Sequence, residues 1–178
     1  MKRILLLIGA LMLPAAASAQ AQSVLTDPGY LDLRVIESWF DEEATIEVNV
    51  QGALLNLVME ASRHEDEELA EMIGKLKGVY VRGYDVTADE VAEISSRTGQ
   101  LANTLRDRGW ETVVRVREDD QRVHVFMRTQ QDRIAGLVVM VVDPEETIFV
   151  NIVGEIDPAD IGRIGGRFNV PELGIRKD

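Results

Sequence analysis

The chain of 178 residues contains no cysteine. It can form no disulfide, offers no thiolate nucleophile and lacks the sulfur ligands of structural zinc sites. Histidine is almost as scarce, with His64 and His124 alone. No glycine-rich phosphate loop follows a strand, and no serine stands on a strand-to-helix elbow. No pairing of nucleophile and base is visible, so neither an enzyme nor a bound cofactor is expected. Positive charge is also in deficit, with 19 Lys and Arg against 31 Asp and Glu and a net charge of −12. Phosphate backbones and anionic lipid heads repel such a chain, so nucleic acid is not an expected partner. Long apolar runs are absent too. Ile4–Leu13 has ten residues, whereas a membrane-spanning helix needs about 20. A chain of this length without disulfides must hold together through its own core, and it is long enough to bury one.

What stands at the N-terminus is a secretory pattern. Met1-Lys2-Arg3 is basic, Ile4–Leu13 is apolar, and Pro14 to Gln20 is rich in small residues. Ala17-Ser18-Ala19 fits a signal-peptidase site. We expect residues 1–19 to be a cleaved signal peptide and the mature protein to be periplasmic or secreted, with no stable membrane span. Without cysteine there is no site for a lipid anchor, so a lipoprotein is not expected. Residues 20–29 read as a flexible leader ending in the turn signal Asp27-Pro28-Gly29. A single domain is expected over residues 30–170, with a tail at 171–178.

The hydrophobic periods predict the elements. Leu33, Ile36 and Phe40 fit a short helix within Tyr30–Phe40. Ile46, Val48 and Val50 alternate with Glu47 and Asn49, as in a half-buried strand. Ala53–Arg63 predicts a helix with Leu54, Leu55, Val58 and Ala61 on its buried stripe. His64–Lys77 predicts another, closed by Gly78. Val79–Val86 reads as a strand. Thr87 and Glu90 form a capping box for a helix to about Arg108, which Gly109 stops. Four strands follow, Trp110–Arg117, Arg122–Thr129, Ile134–Val142 and Thr147–Val153, as an antiparallel meander. Asp157 before Pro158 predicts a last short helix to about Gly165. The fold class is therefore α+β: one two-layer domain, a mixed sheet with a C-terminal four-strand meander, and helices packed on it.

Two features of the meander go beyond fold. With Asp119-Asp120 as the turn, Val116 faces Val123 and Val114 faces Val125. The opposite face then gathers Arg115, Arg117, Arg122, His124 and Arg128, with Glu111 opposite Arg128. These five basic residues are the candidate binding site, for an anion or carboxylate; the competing reading is neutralisation by the chain's own acids. The second hairpin is apolar on both faces, with Val138, Met140, Val142, Phe149 and Val153 on one and Leu137, Val139, Val141, Ile148, Val150 and Ile152 on the other. Strands apolar on both sides are covered on both sides. Either helices 53–77 and 87–108 cover the second set, or a partner does. The run Arg63-His64-Glu65-Asp66-Glu67-Glu68 offers only His64 and Glu68 on one helical face, and two ligands make no metal site.

Gly109-Trp110-Glu111, Val113–Glu118, Ile134-Ala135-Gly136-Leu137 and Val150–Asp157 together resemble the bacterial family called domain of unknown function 4252. The resemblance extends from Pro28-Gly29-Tyr30 to about Val170. It implies an exported protein, with lipoproteins among the relatives and an association with envelope stress, and it supplies no activity and no catalytic residues. The expected function is a non-enzymatic envelope module that binds an envelope protein or itself. The alternative is a periplasmic binder of small molecules or anions through the basic sheet face.

Overall fold

The computed structural model describes residues 24–118 and 121–157. The expected signal peptide, the expected turn at Asp119-Asp120, the expected helix after Pro158 and the expected C-terminal tail lie outside the described residues. In chain order the elements are α1 (Arg34–Glu37), β1 (Ile46–Gln51), α2 (Gly52–Ser62), α3 (Glu67–Gly74), β2 (Leu76–Asp85), α4 (Val91–Asp107), β3 (Glu111–Glu118), β4 (Gln121–Gln130), β5 (Arg133–Val142) and β6 (Glu146–Ile156).

The fold is α+β, with the expected meander over β3–β6. The six strands form one sheet in the order β1-β2-β6-β5-β4-β3. Every neighbouring pair is antiparallel, which corrects the expectation of a mixed sheet. The reason lies in the connections. The α2–α3 pair returns the chain to the end of the sheet it left, so β2 runs back beside β1. Helix α4 then carries the chain to the far edge, and the meander returns until β6 lies antiparallel to β2.

The register sorts the side chains into two unlike faces. One carries Phe126, Val138, Met140, Val142, Phe149 and Val153, all at 0 % exposure. Helix α4 enters this core through Ala102 and Leu105, with Val24, Leu31, Leu33 and Ile36 from the N-terminal segment. Val91 and Ile94 close it beside Val142. We call it the closed face. The other face carries Val48, Val81, Val150, Val139, Val125 and Val114, one from each strand and each opposite the next. All six are half-buried. The expectation that helix 87–108 covers this set is therefore corrected: α4 lies on the opposite side.

A polar anchor ties the N-terminal segment to the closed face. The fully buried Asn151 accepts from Leu31 N at 2.9 Å and donates to Gly29 O at 2.9 Å and Leu137 O at 3.1 Å. At this crossing Gly29 lies against Gly136 so closely that a Cβ on Gly136 would meet Gly29 O at 2.5 Å. Val24 is buried as well. Residues 24–29, read as leader, thus belong to the packed domain, and Asp27-Pro28-Gly29 makes its turn there, with Gly29 N donating to Asp27 Oδ1 at 2.9 Å.

The helical pair differs from its sequence reading. On α2 only Leu55 is buried, while Leu54 and Val58 are exposed. The cause is the partner: α2 packs on α3, whose Ala70 and Ile73 are buried, and reaches the sheet only at β1 and β2. Helix α3 begins later than expected, where Asp66 Oδ1 accepts from Leu69 N at 3.0 Å. It also ends earlier, because Leu76 already pairs with Gly154, leaving Gly78 inside β2.

Candidate functional site

The first hairpin places the basic residues as their alternation requires. Arg115 lies opposite His124 and Arg117 opposite Arg122, with Val114, Val116, Val123 and Val125 on the other face. The pairing slips between Thr112 and Val114, so Glu111 faces Met127 rather than Arg128. Val113 is the extra residue of this bulge and is 52 % exposed.

The five candidates then divide by what they touch. Arg128 Nη1 donates to Arg108 O at 2.6 Å, at the C-terminal end of α4, beside Gly109 with its φ of +82°. A cation there satisfies a free carbonyl and opposes the helix dipole, so Arg128 has a structural task. Arg122 is half-buried and its Nη1 donates to Ser95 Oγ on α4 at 2.6 Å. Arg115 and Arg117 are exposed on β3, which pairs only with β4 and so forms an edge of the sheet. His124 is buried, lies parallel to the Phe126 ring at 6.1 Å, and its Nδ1 has no hydrogen-bond partner. Burial pushes its pKa below the usual histidine value, and Arg115, Arg117, Arg106 and Arg122 push it further the same way. Arg106 on α4, a helix that packs against β3, β4 and β5, thus acts on this ring through its charge, a neighbour that the sequence did not suggest.

The ion pairs among the described residues leave this cluster out. They join Arg34 to Asp32, Arg63 to Glu60, Lys77 to Asp27, Arg97 to Glu93 and Arg133 to Glu155. Neutralisation by the chain's own acids occurs elsewhere, at Arg82. That buried side chain lies 3.0 Å from Glu47 and 3.6 Å from Glu37, and its Nη1 donates to Asn49 Oδ1 and to Val81 O. Arg82, Phe149, Met140, His124 and Arg115 form one row across the closed face. The row is compensated at one end and bare of carboxylates at the other.

The open face has a different chemistry. Beside the valine row runs Ile46–Gly83–Ile148–Val141–Val123–Val116, and on its other side Val50–Val79–Ile152–Leu137–Met127. The last of these rows ends at Glu111, opposite Met127, and no other charged side chain stands in the three. Ile46 is 41 % exposed, and Leu54 and Leu57 of the neighbouring α2 are 48 % and 65 % exposed. Among the described residues this face closes at the bulged end, where Ile134, Leu137 and Ile156 cluster with Leu76, Met127 and Ile152.

His64 is exposed in the turn before α3, and Asp66 is engaged in capping. Among the described residues no group of three or more His, Asp or Glu side chains could hold a metal ion. No helix among them is long and apolar enough to cross a membrane.

Residues 39–164 match the family described as Domain of unknown function (DUF4252), and the chain belongs to it. No curated protein matches the chain.

Proposed function

We propose that this is a non-enzymatic, exported protein of the bacterial cell envelope that works by docking, and that the open face is its docking surface. The single observation behind this reading is the row Val48–Val81–Val150–Val139–Val125–Val114, aliphatic across all six strands and half-buried in each. Soluble proteins seldom leave a contiguous apolar patch of this kind in water, and where they do it usually marks a contact site. Export is supported by the three-part pattern of residues 1–19.

A second copy of the chain is the partner that best fits the surface. Sheets pack face to face about 10 Å apart through interdigitating aliphatic side chains. A two-fold axis through the valine row would set the same surface against itself. The chain carries a net charge of −12, which opposes self-association, but the open face brings only Glu111, at its corner, into the contact. Six strands at about 4.8 Å spacing, with three outward residues on each, give a footprint of roughly 500 Å². Specific interfaces bury about 600–1,000 Å² per partner, and the footprint with its rim reaches the lower part of that range.

Val150→Glu tests the reading. Val150 is half-buried at the centre of the row. The variant is expected to keep the far-UV circular dichroism of the wild type and to sediment as a monomer at concentrations where the wild type associates. Loss of the folded spectrum would mean that the face is already closed within one chain, because a buried unpaired charge is expensive.

A further inference from the structure

We infer that Arg106, Arg115, Arg117 and Arg122 form a binding site for a small anion bearing phosphate or carboxylate groups. The inference is independent of the docking surface, since these side chains belong to the closed side of the sheet and to the helix lying over it. Four observations carry it. The register puts Arg115 and Arg117 on one face of the edge strand, two residues and so about 7 Å apart. It sets Arg117 directly against Arg122, a like-charge pair that strands ordinarily avoid. None of the four guanidiniums has an ion pair among the described residues, whereas Arg82, at the other end of the row that holds Arg115, has two. Beneath them His124 is 8 % exposed and its Nδ1 lacks a partner, so this corner of the domain holds polar capacity the fold does not use.

The chemistry follows from the side chains. A guanidinium is a planar fork that meets two oxygens of a carboxylate or phosphate at once. Arg115 and Arg117 can both turn toward a ligand because the edge strand has no neighbour on its far side. Arg122 is held at one end by Ser95 Oγ at 2.6 Å, and Arg106 by Asn103 Oδ1. Arg122 and Arg106 are therefore preset while Arg115 and Arg117 close on the ligand. An anion here removes the repulsion among the arginines and so stabilises the folded chain. It also offsets the arginine field that, after burial, lowers the pKa of His124, which makes that ring a reporter of occupancy.

The test is a titration of the chain with sodium pyrophosphate and, separately, with citrate, at constant pH and with sodium chloride matching the ionic strength in a control. Histidine ring resonances and the melting temperature are followed. Saturating movement of the His124 signals with either probe, without movement of His64, supports the site, and the effective probe identifies phosphate or carboxylate as its preferred chemistry. A ligand bound only by the folded state raises the melting temperature in step. The double variant Arg115→Gln/Arg117→Gln should weaken binding at least about tenfold, as loss of charged hydrogen bonds implies. Arg106→Gln, on the helix and away from the sheet edge, should weaken it as well and serves if the double variant is poorly folded. Movement of both histidines alike, a response equal to that of sodium chloride, or unchanged affinity in both variants would overturn the site.

Discussion

Val138 and Val139 are neighbours on β5, yet the first is fully excluded from water and the second is half-buried. The same division runs through the whole sheet. The closed face is chemically mixed: Phe126, Met140 and Phe149 stand beside Asn151, Arg82 and His124. Each of these is fitted to a particular neighbour. Trp39 meets Phe149 edge-on at 5.7 Å, and Phe40 stacks on Tyr84 at 3.7 Å. The open face repeats aliphatic side chains, chiefly Val and Ile, and its valine row stays half-buried from edge to edge. A face that must accept specific elements of its own chain needs shape and polar anchors. A face that must accept another sheet needs uniformity and no charge. The contrast separates what folds the domain from what the domain offers.

The most damaging way to break the contrast is to remove the polar anchor of the closed face. Asn151→Ala strands the Leu31 amide and the Gly29 carbonyl in a dry environment, and each buried group left unpaired costs about 1–3 kcal/mol. We expect a loss of at least about 3 kcal/mol in urea unfolding, with release of the N-terminal segment seen as faster amide exchange at Leu31. A like-for-like comparison comes next. Val138→Ala should cost about 2 kcal/mol through lost burial and an unfilled cavity, while Val139→Ala should cost less than about 1 kcal/mol under dilute conditions. Equal costs would mean that the faces are equally buried.

The smallest effect concerns His124. Its folded pKa lies below the ordinary histidine value of 6.5, first because of burial. At pH above that value neither folded nor unfolded chain holds the proton, and the group contributes nothing. As pH falls below 6.5 the unfolded chain takes up the proton first, so stability declines across the window between the unfolded and the folded pKa. Urea unfolding between pH 7 and 5.5 should show this decline, and His124→Phe should flatten it. Saturating pyrophosphate should flatten it too, if the arginine site is occupied.

Much of this was legible in the sequence. The alternation of Val114, Val116, Val123 and Val125 with Arg115, Arg117, Arg122 and His124 fixes the first hairpin's register without coordinates. The reading failed at Glu111 because a bulge at Val113 carries no signature in composition. Both faces of β5 and β6 are apolar, so periodicity announces that each must be covered but cannot say by what. Helix α4 could have taken either. Two partners of Asn151, Leu31 and Gly29, lie some 120 residues away in the chain. Arg82 likewise finds its acids on α1 and β1, and only the folded topology joins them. Arg106 escaped notice for the same reason.

The claim that the open face closes against a second copy is tested most directly by thiol labelling, which the absence of native cysteine makes specific to one position. Val150→Cys removes little volume and places a single thiol at the centre of the valine row. Its rate of maleimide labelling should be fast in dilute protein and should fall as protein concentration rises through the association range measured by sedimentation. A rate that stays the same at every concentration, whether fast or slow, would contradict the account.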